Sequence, residues 1–114
     1  MTMGFQRVCT LDDLWEGDMA AFEVGGRDVL LVHLAGGVVR AIQAACPHQG
    51  QPLVEGELCA NVLTCRAHRW EFDVATGTSV NPEGEELRVF PVKVENDEVL
   101  VDVAGVPPDV TFRG

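Results

Sequence analysis

Four residues in two short segments carry soft metal-ligating side chains, and their spacing restricts what they can do. Cys46-Pro47-His48 supplies one thiol and one imidazole, and Cys65-Arg66-Ala67-His68 supplies another of each, with sixteen residues between His48 and Cys65. Two such loops side by side can hold a [2Fe–2S] cluster, with the cysteines on one iron and the histidines on the other. Neutral imidazoles in place of two thiolates remove negative charge from one iron. That eases its reduction and raises the potential above that of an all-cysteine cluster. The competing use is a tetrahedral Cys2His2 zinc site in an interaction module. Structural zinc usually spaces paired ligands by two or more residues, so the single residue between Cys46 and His48 disfavours it.

Elements that could position two such loops are strands. Period-2 alternation and β-branched residues mark Phe5–Cys9, Ala20–Val24, Arg27–His33, Val38–Gln43, Val62–Thr64, Glu71–Asp73, Val89–Glu95 and Val99–Val103. Gly25-Gly26 and Gly36-Gly37 read as two-residue hairpin connections, and Asn96-Asp97 turns the last hairpin. Leu11–Gly17 can hold one helical turn, capped by Thr10 and stopped by Gly17. No segment sustains a helical period, so the expected class is all-β. Pro107 and Pro108 prevent the tail, residues 105–114, from continuing a strand, which leaves it along the surface.

The 114 residues give room for one domain with one core. Residues from about Ala44 to Phe72 are rich in Cys, His, Pro and Gly, while both flanks are ordinary strand-and-turn sequence. The expected organisation is therefore a single domain over 1–114, a β base with a small metal-binding subdomain inserted at approximately 44–75. A formal charge of −10 repels nucleic acid and anionic membrane surfaces and suits brief docking on positive partner patches. The longest apolar stretch, Val29–Ala35, is too short to span a bilayer, and Met1–Val8 lacks the apolar core of a secretory leader. A cytoplasmic location is the expectation, and in that compartment metal binding is a better use of cysteines than disulfides.

The paired loops resemble those of the Rieske proteins, and the likeness extends over roughly residues 5 to 103. Val8–Met19, Ala45–Gln49, Leu63–His68 and Val80–Pro82 are similar to the Rieske ferredoxins of multicomponent toluene and alkene monooxygenases. The resemblance implies a Rieske fold, an antiparallel β-sandwich base carrying a cluster-binding subdomain. It implies one [2Fe–2S] cluster, with Cys46 and Cys65 on the inner iron and His48 and His68 on the outer. The chain would then be an electron carrier rather than an enzyme. It would take electrons from an NADH-dependent flavin and iron–sulfur reductase and pass them to a diiron hydroxylase acting on aromatic or alkene hydrocarbons. Alternatives within the resemblance are the ferredoxin of a ring-hydroxylating dioxygenase and the small subunit of a nitrite reductase.

Departures from the respiratory branch of that family bear on the potential. That branch carries an extra cysteine in each loop, where this chain has Gln51 and Ala67, and a serine and a tyrosine where it has Trp70 and Phe72. Hydroxyl hydrogen bonds to sulfur stabilise the reduced cluster, so their loss places the expected potential low, at about −150 mV. Gln49, Ala67, Trp70, Phe72 and Pro82 are the expected neighbours of the cluster, Pro82 on a third loop covering it. Arg66 and Arg69 flank His68, and Glu55, Glu57, Glu83, Glu85 and Glu86 are expected near the same end as docking charges. Cys9 reads as a small buried hydrophobe, Cys59 follows a loop without a role, and His33 reads as a packed histidine.

Overall fold

Eleven strands account for the architecture in the computed structural model, which describes residues 4–47, 52–66, 69–81, 86–107 and 109. In chain order they are β1 (Phe5–Thr10), β2 (Met19–Val24), β3 (Arg27–Leu34), β4 (Val38–Gln43), β5 (Glu57–Cys59), β6 (Val62–Thr64), β7 (Glu71–Asp73), β8 (Thr78–Asn81), β9 (Val89–Phe90), β10 (Val92–Glu95) and β11 (Glu98–Asp102). Short 3-10 turns lie at Leu11–Asp13 and Leu53–Glu55. The strands form three antiparallel sheets, ordered β1-β11-β10, β2-β3-β4-β9 and β5-β6-β7-β8. The all-β class expected from the sequence is borne out.

Strand β3 is the hinge of the packing. Its residues alternate between two cores, so the run Val29–Leu34 is buried on both faces. Val29 and Leu31 join Cys9, Leu14, Phe90, Val99 and Val101 between the first two sheets. Leu30, Val32 and Leu34 pack on the other side against Leu53, Leu63, Phe72 and Val74 of the β5–β8 unit. Fully burying one such large side chain is worth roughly 2 kcal/mol. The middle sheet thereby becomes the common wall on which the base and the inserted unit both rest.

Two hairpin turns bear directly on the reading of the sequence. Gly25-Gly26 and Asn96-Asp97 are two-residue turns with φ of 56° and 83°, and 52° and 66°, which fits the twist of tight hairpins. The β3–β4 connection has three residues, Ala35 to Gly37, since Leu34 pairs with Val38.

The remaining differences have local causes. The expected strand Val89–Glu95 is broken at Pro91, which has no N–H to give a ladder. Its halves serve different sheets, β9 beside β4 and β10 beside β11. The helical turn stops at Asp13, whose carboxylate accepts hydrogen bonds from the backbone N–H (3.3 Å) and hydroxyl (3.2 Å) of Thr10. Gly17 instead donates its N–H to the His33 carbonyl at 2.7 Å. Strands β5 and β8 were not foreseen; they are three and four residues long, and Cys59 lies in β5 rather than after a loop. The tail does run along the surface where it is described, tied by Arg27 to the carbonyls of Val106 and Pro107 at 2.8 and 2.9 Å.

Candidate metal centre

The inserted unit holds two of the four candidate ligands in one packed cluster. Cys46 is 2% exposed and Cys65 is fully buried, and both pack with Leu53, Leu63, Phe72 and Leu87. Neither forms a disulfide. Two soft thiol donors in one apolar cluster suit an iron–sulfur centre, since low-dielectric surroundings strengthen thiolate–metal electrostatics. His48, His68, Gln49, Ala67 and Pro82 lie outside the described residues.

Each loop is closed at its neck by backbone hydrogen bonds. For the first, Leu53 N–H donates to the Ala44 carbonyl at 2.8 Å and Ala45 bridges to Pro52, so the chain entering at Ala45 and the chain leaving at Pro52 are held together. For the second, Cys65 N–H donates to the Trp70 carbonyl at 2.7 Å, directly beyond the Thr64–Glu71 pair of β6 and β7. Arg69 turns the chain with φ of 57°. A third closure brings Glu86 opposite Thr78, with Leu87 N–H donating to the Gly77 carbonyl at 2.7 Å.

Among the expected neighbours, Trp70 and Phe72 lie near Cys65, Trp70 through its carbonyl and Phe72 in the same apolar cluster. Phe72 is fully buried, and the two rings lie 6.4 Å apart, tilted by 45°. Neither brings a hydroxyl. Arg66 and Arg69 share a recess of about 250 Å³ with Glu55, Glu57 and Cys65, so charges of both signs meet at this end. Glu86 is exposed, while Glu83 and Glu85 fall outside the described residues. His33 is a packed residue, as expected, its Nδ1 donating to the Leu14 carbonyl at 2.8 Å.

Two residues that position the loops escaped the sequence reading. Gln43, fully buried, donates from Nε2 to the Ala45 carbonyl at 2.7 Å and accepts at Oε1 from Arg88 N–H at 2.9 Å. Its signal was an uncharged polar residue directly after the apolar pair Ala41-Ile42 at the end of a strand. Gly56 lies so close to Thr64 that a Cβ there would meet the Thr64 carbonyl oxygen. Its φ of −82° is open to any residue, so sequence alone carried no mark of this contact.

Comparison with known proteins agrees with this geometry. The model of the Rieske [2Fe–2S] domain matches residues 4–91. The ferredoxin component of an alkene monooxygenase system from Xanthobacter autotrophicus is 45% identical over 103 residues, covering 90% of this chain and 84% of the relative. The ferredoxin of carbazole 1,9a-dioxygenase from Nocardioides aromaticivorans superposes with a TM-score of 0.79 at 36% identity, covering 86% of this chain and 96% of that one. A chain in a complex of reduced oxygenase and oxidized ferredoxin of carbazole 1,9a-dioxygenase has the same TM-score at 29% identity, covering 89% and 94%.

Proposed function

This chain belongs to the Rieske [2Fe–2S] family, and we propose that it holds its cluster through Cys46, His48, Cys65 and His68. The cluster takes up and releases one electron at a time when bound. The chain's own part is to supply the ligands, to seal Cys46 and Cys65 from water and to fix the loop necks. The protein is a Rieske ferredoxin, the electron-carrying component of an oxygenase system rather than the catalyst. Its partner is an oxygenase, and 45% identity across nine-tenths of the chain to an alkene monooxygenase ferredoxin favours a diiron hydroxylase.

The finer reading adds an NADH-dependent flavin and iron–sulfur reductase as the donor, and an aromatic or alkene hydrocarbon as the oxygenase's substrate. One domain over 1–114, with the cluster carried by the unit inserted at approximately 44–75, is supported by the separate β5–β8 sheet, whose last strand, Thr78–Asn81, extends that unit beyond residue 75. A cytoplasmic location belongs to the same reading. Among the described residues no helix is long and apolar enough to cross a membrane.

The observation that carries the proposal is the burial of Cys46 and Cys65 in a single apolar cluster at the roots of two pinched loops. The test is the visible spectrum of the purified protein before and after dithionite, with iron and acid-labile sulfide analysis. Two irons, two sulfides and a bleachable colour are expected, and Cys65→Ser should abolish all three. A colourless protein with one zinc would overturn the reading. Electron transfer to a diiron hydroxylase, set against transfer to a dioxygenase, separates the two oxygenase classes.

A further inference from the structure

Between the base and the inserted unit lies a recess of about 250 Å³ that the cluster does not explain. Glu16, His33, Leu34 and Ala35 line it from the base, and Leu58 and Ala60 from the inserted unit. It stands away from the cluster loops. β4 runs from Val38, paired with Leu34 beside the recess, to Gln43 at the entry to the Cys46 loop, which is about 17 Å of strand.

His33 is the informative residue, since it is polar yet only 9% exposed. A carbonyl can only accept, so the 2.8 Å contact with the Leu14 oxygen places a proton on Nδ1. The neutral ring then carries a bare lone pair on Nε2. That nitrogen takes no hydrogen bond from any described residue and is not sealed from solvent, so it opens on the recess. Glu16 is anchored through one oxygen, Oε2, which accepts from the N–H groups of Gly36 and Gly37 at 2.9 and 3.3 Å. Its Oε1 has no partner among the described residues, and no lysine or arginine lines the recess. Trp15, the residue before Glu16, is 69% exposed, more than any other large hydrophobic among the described residues.

A fixed acceptor in an apolar crevice, an anchored carboxylate and an exposed indole beside it suit one kind of occupant. It must donate hydrogen bonds, carry positive charge, lay an apolar stem against Leu34 and Leu58 and offer a flat face to Trp15. Arginine does all four, because its fork of N–H donors reaches two acceptors at once and its plane stacks on aromatic rings. We propose that this recess receives an arginine side chain of the oxygenase, held between His33 Nε2 and Glu16 and covered by Trp15. The proposal deepens the carrier reading and rests on it. Such a contact secures the carrier at a second point, away from Cys46 and Cys65, so it governs residence on the oxygenase and not the path of the electron.

The test uses the cluster-loaded full chain and the oxygenase of the Xanthobacter autotrophicus alkene monooxygenase system. At fixed pH the nitrogen NMR signal of His33 Nε2 should move upfield when the oxygenase is added, because its lone pair then accepts a hydrogen bond. Trp15→Ala and Glu16→Gln should each raise the KM for the carrier about tenfold, with the effect in KM and not in kcat. Glutamine can still accept from Gly36 and Gly37, so its loss reports charge and not a collapsed turn. His33→Asn keeps a donor for the Leu14 carbonyl, removes the Nε2 acceptor and should raise KM about fivefold. The visible spectrum should be the same in all three variants. An unmoved His33 signal, or an unaltered KM in Trp15→Ala and Glu16→Gln, would overturn the proposal. So would a carrier dimer in ultracentrifugation that Trp15→Ala dissolves, because a second copy would then occupy the surface. Failure of the carrier reading shows separately, as a chain without a dithionite-bleachable spectrum, and that result would overturn both.

Discussion

The Gln43 side chain accepts the Arg88 backbone N–H at 2.9 Å while donating to the Ala45 carbonyl at 2.7 Å. One buried amide thus ties the root of the Cys46 loop to the strand entry that follows the third loop. Backbone pairing reinforces the tie, since Gln43 N–H donates to the Arg88 carbonyl at 2.9 Å. A charged residue could not do this job without carrying its desolvation cost into the core.

Replacing Gln43 by leucine keeps the volume and removes the side-chain bonds to Ala45 and Arg88. The Ala45 carbonyl and Arg88 N–H then lose their partners, at a cost of about 3 kcal/mol. Urea unfolding of the two proteins should show this loss, together with a lower iron content after purification. An unchanged urea midpoint would mean that water replaces the amide at both positions.

Gly56→Ala should be similarly harmful for a different reason. Its Cβ would strike the Thr64 carbonyl, one residue before Cys65, and would also come within 3.2 Å of the Leu53 carbonyl. Backbone must shift to admit it, costing about 1–3 kcal/mol. The expected result is a lower Tm and a reduced iron-to-protein ratio, with the Cys65 loop the element displaced. Gly26→Ala makes a useful control, since nothing lies within 4 Å of that position, although its φ of 83° adds local strain.

The cysteines outside the proposed ligand set should differ sharply in reactivity. Cys59 is exposed on β5, whereas Cys9 is buried in the base. Burial, aided by the Asp13 carboxylate and opposed by Arg7, pushes the Cys9 thiol above its ordinary 9.0. A thiol reagent applied to the native, cluster-loaded protein should label Cys59 quickly and leave Cys9 untouched until the chain unfolds.

The same shift has a consequence for stability. Above about pH 9 the unfolded chain releases the Cys9 proton while the folded chain retains it. The stabilisation is therefore complete below that pH and is lost as the pH rises above it. Urea midpoints at about pH 8 and about pH 10 should fall more for the natural chain than for Cys9→Ala.

Phe72 offers a handle on potential. It is fully buried in the cluster that contains Cys46 and Cys65, and it brings no hydroxyl to the site. Redox titration is expected to give a midpoint of about −150 mV, at the low end for such centres. Phe72→Tyr should raise it by supplying a donor near sulfur. A midpoint above zero in the natural protein would contradict this account of the ligand surroundings.

Much of this molecule is legible from local chemistry. The candidate ligands stand out by type and spacing, β3 stands out as an apolar run between Gly26 and Gly36, and β4 starts directly after Gly37, because a strand's face pattern is written in neighbouring residues. Gly25-Gly26 and Asn96-Asp97 mark their hairpins for the same reason, since only a few residue types accept positive φ. What local chemistry does not carry is which sheet a strand joins. Val89–Glu95 reads as one strand, yet Pro91 divides it between two sheets, and the choice depends on packing against β4 and β11. Gln43 shows in sequence only as a polar strand end, and Gly56 carries no mark at all. Their roles come from Arg88 and Thr64, 45 and eight residues away, and only the folded chain brings those backbones within reach. Side-chain type along the chain determined the chemistry available to this protein, and long-range backbone contacts, which no local pattern encodes, decided how its loops are held.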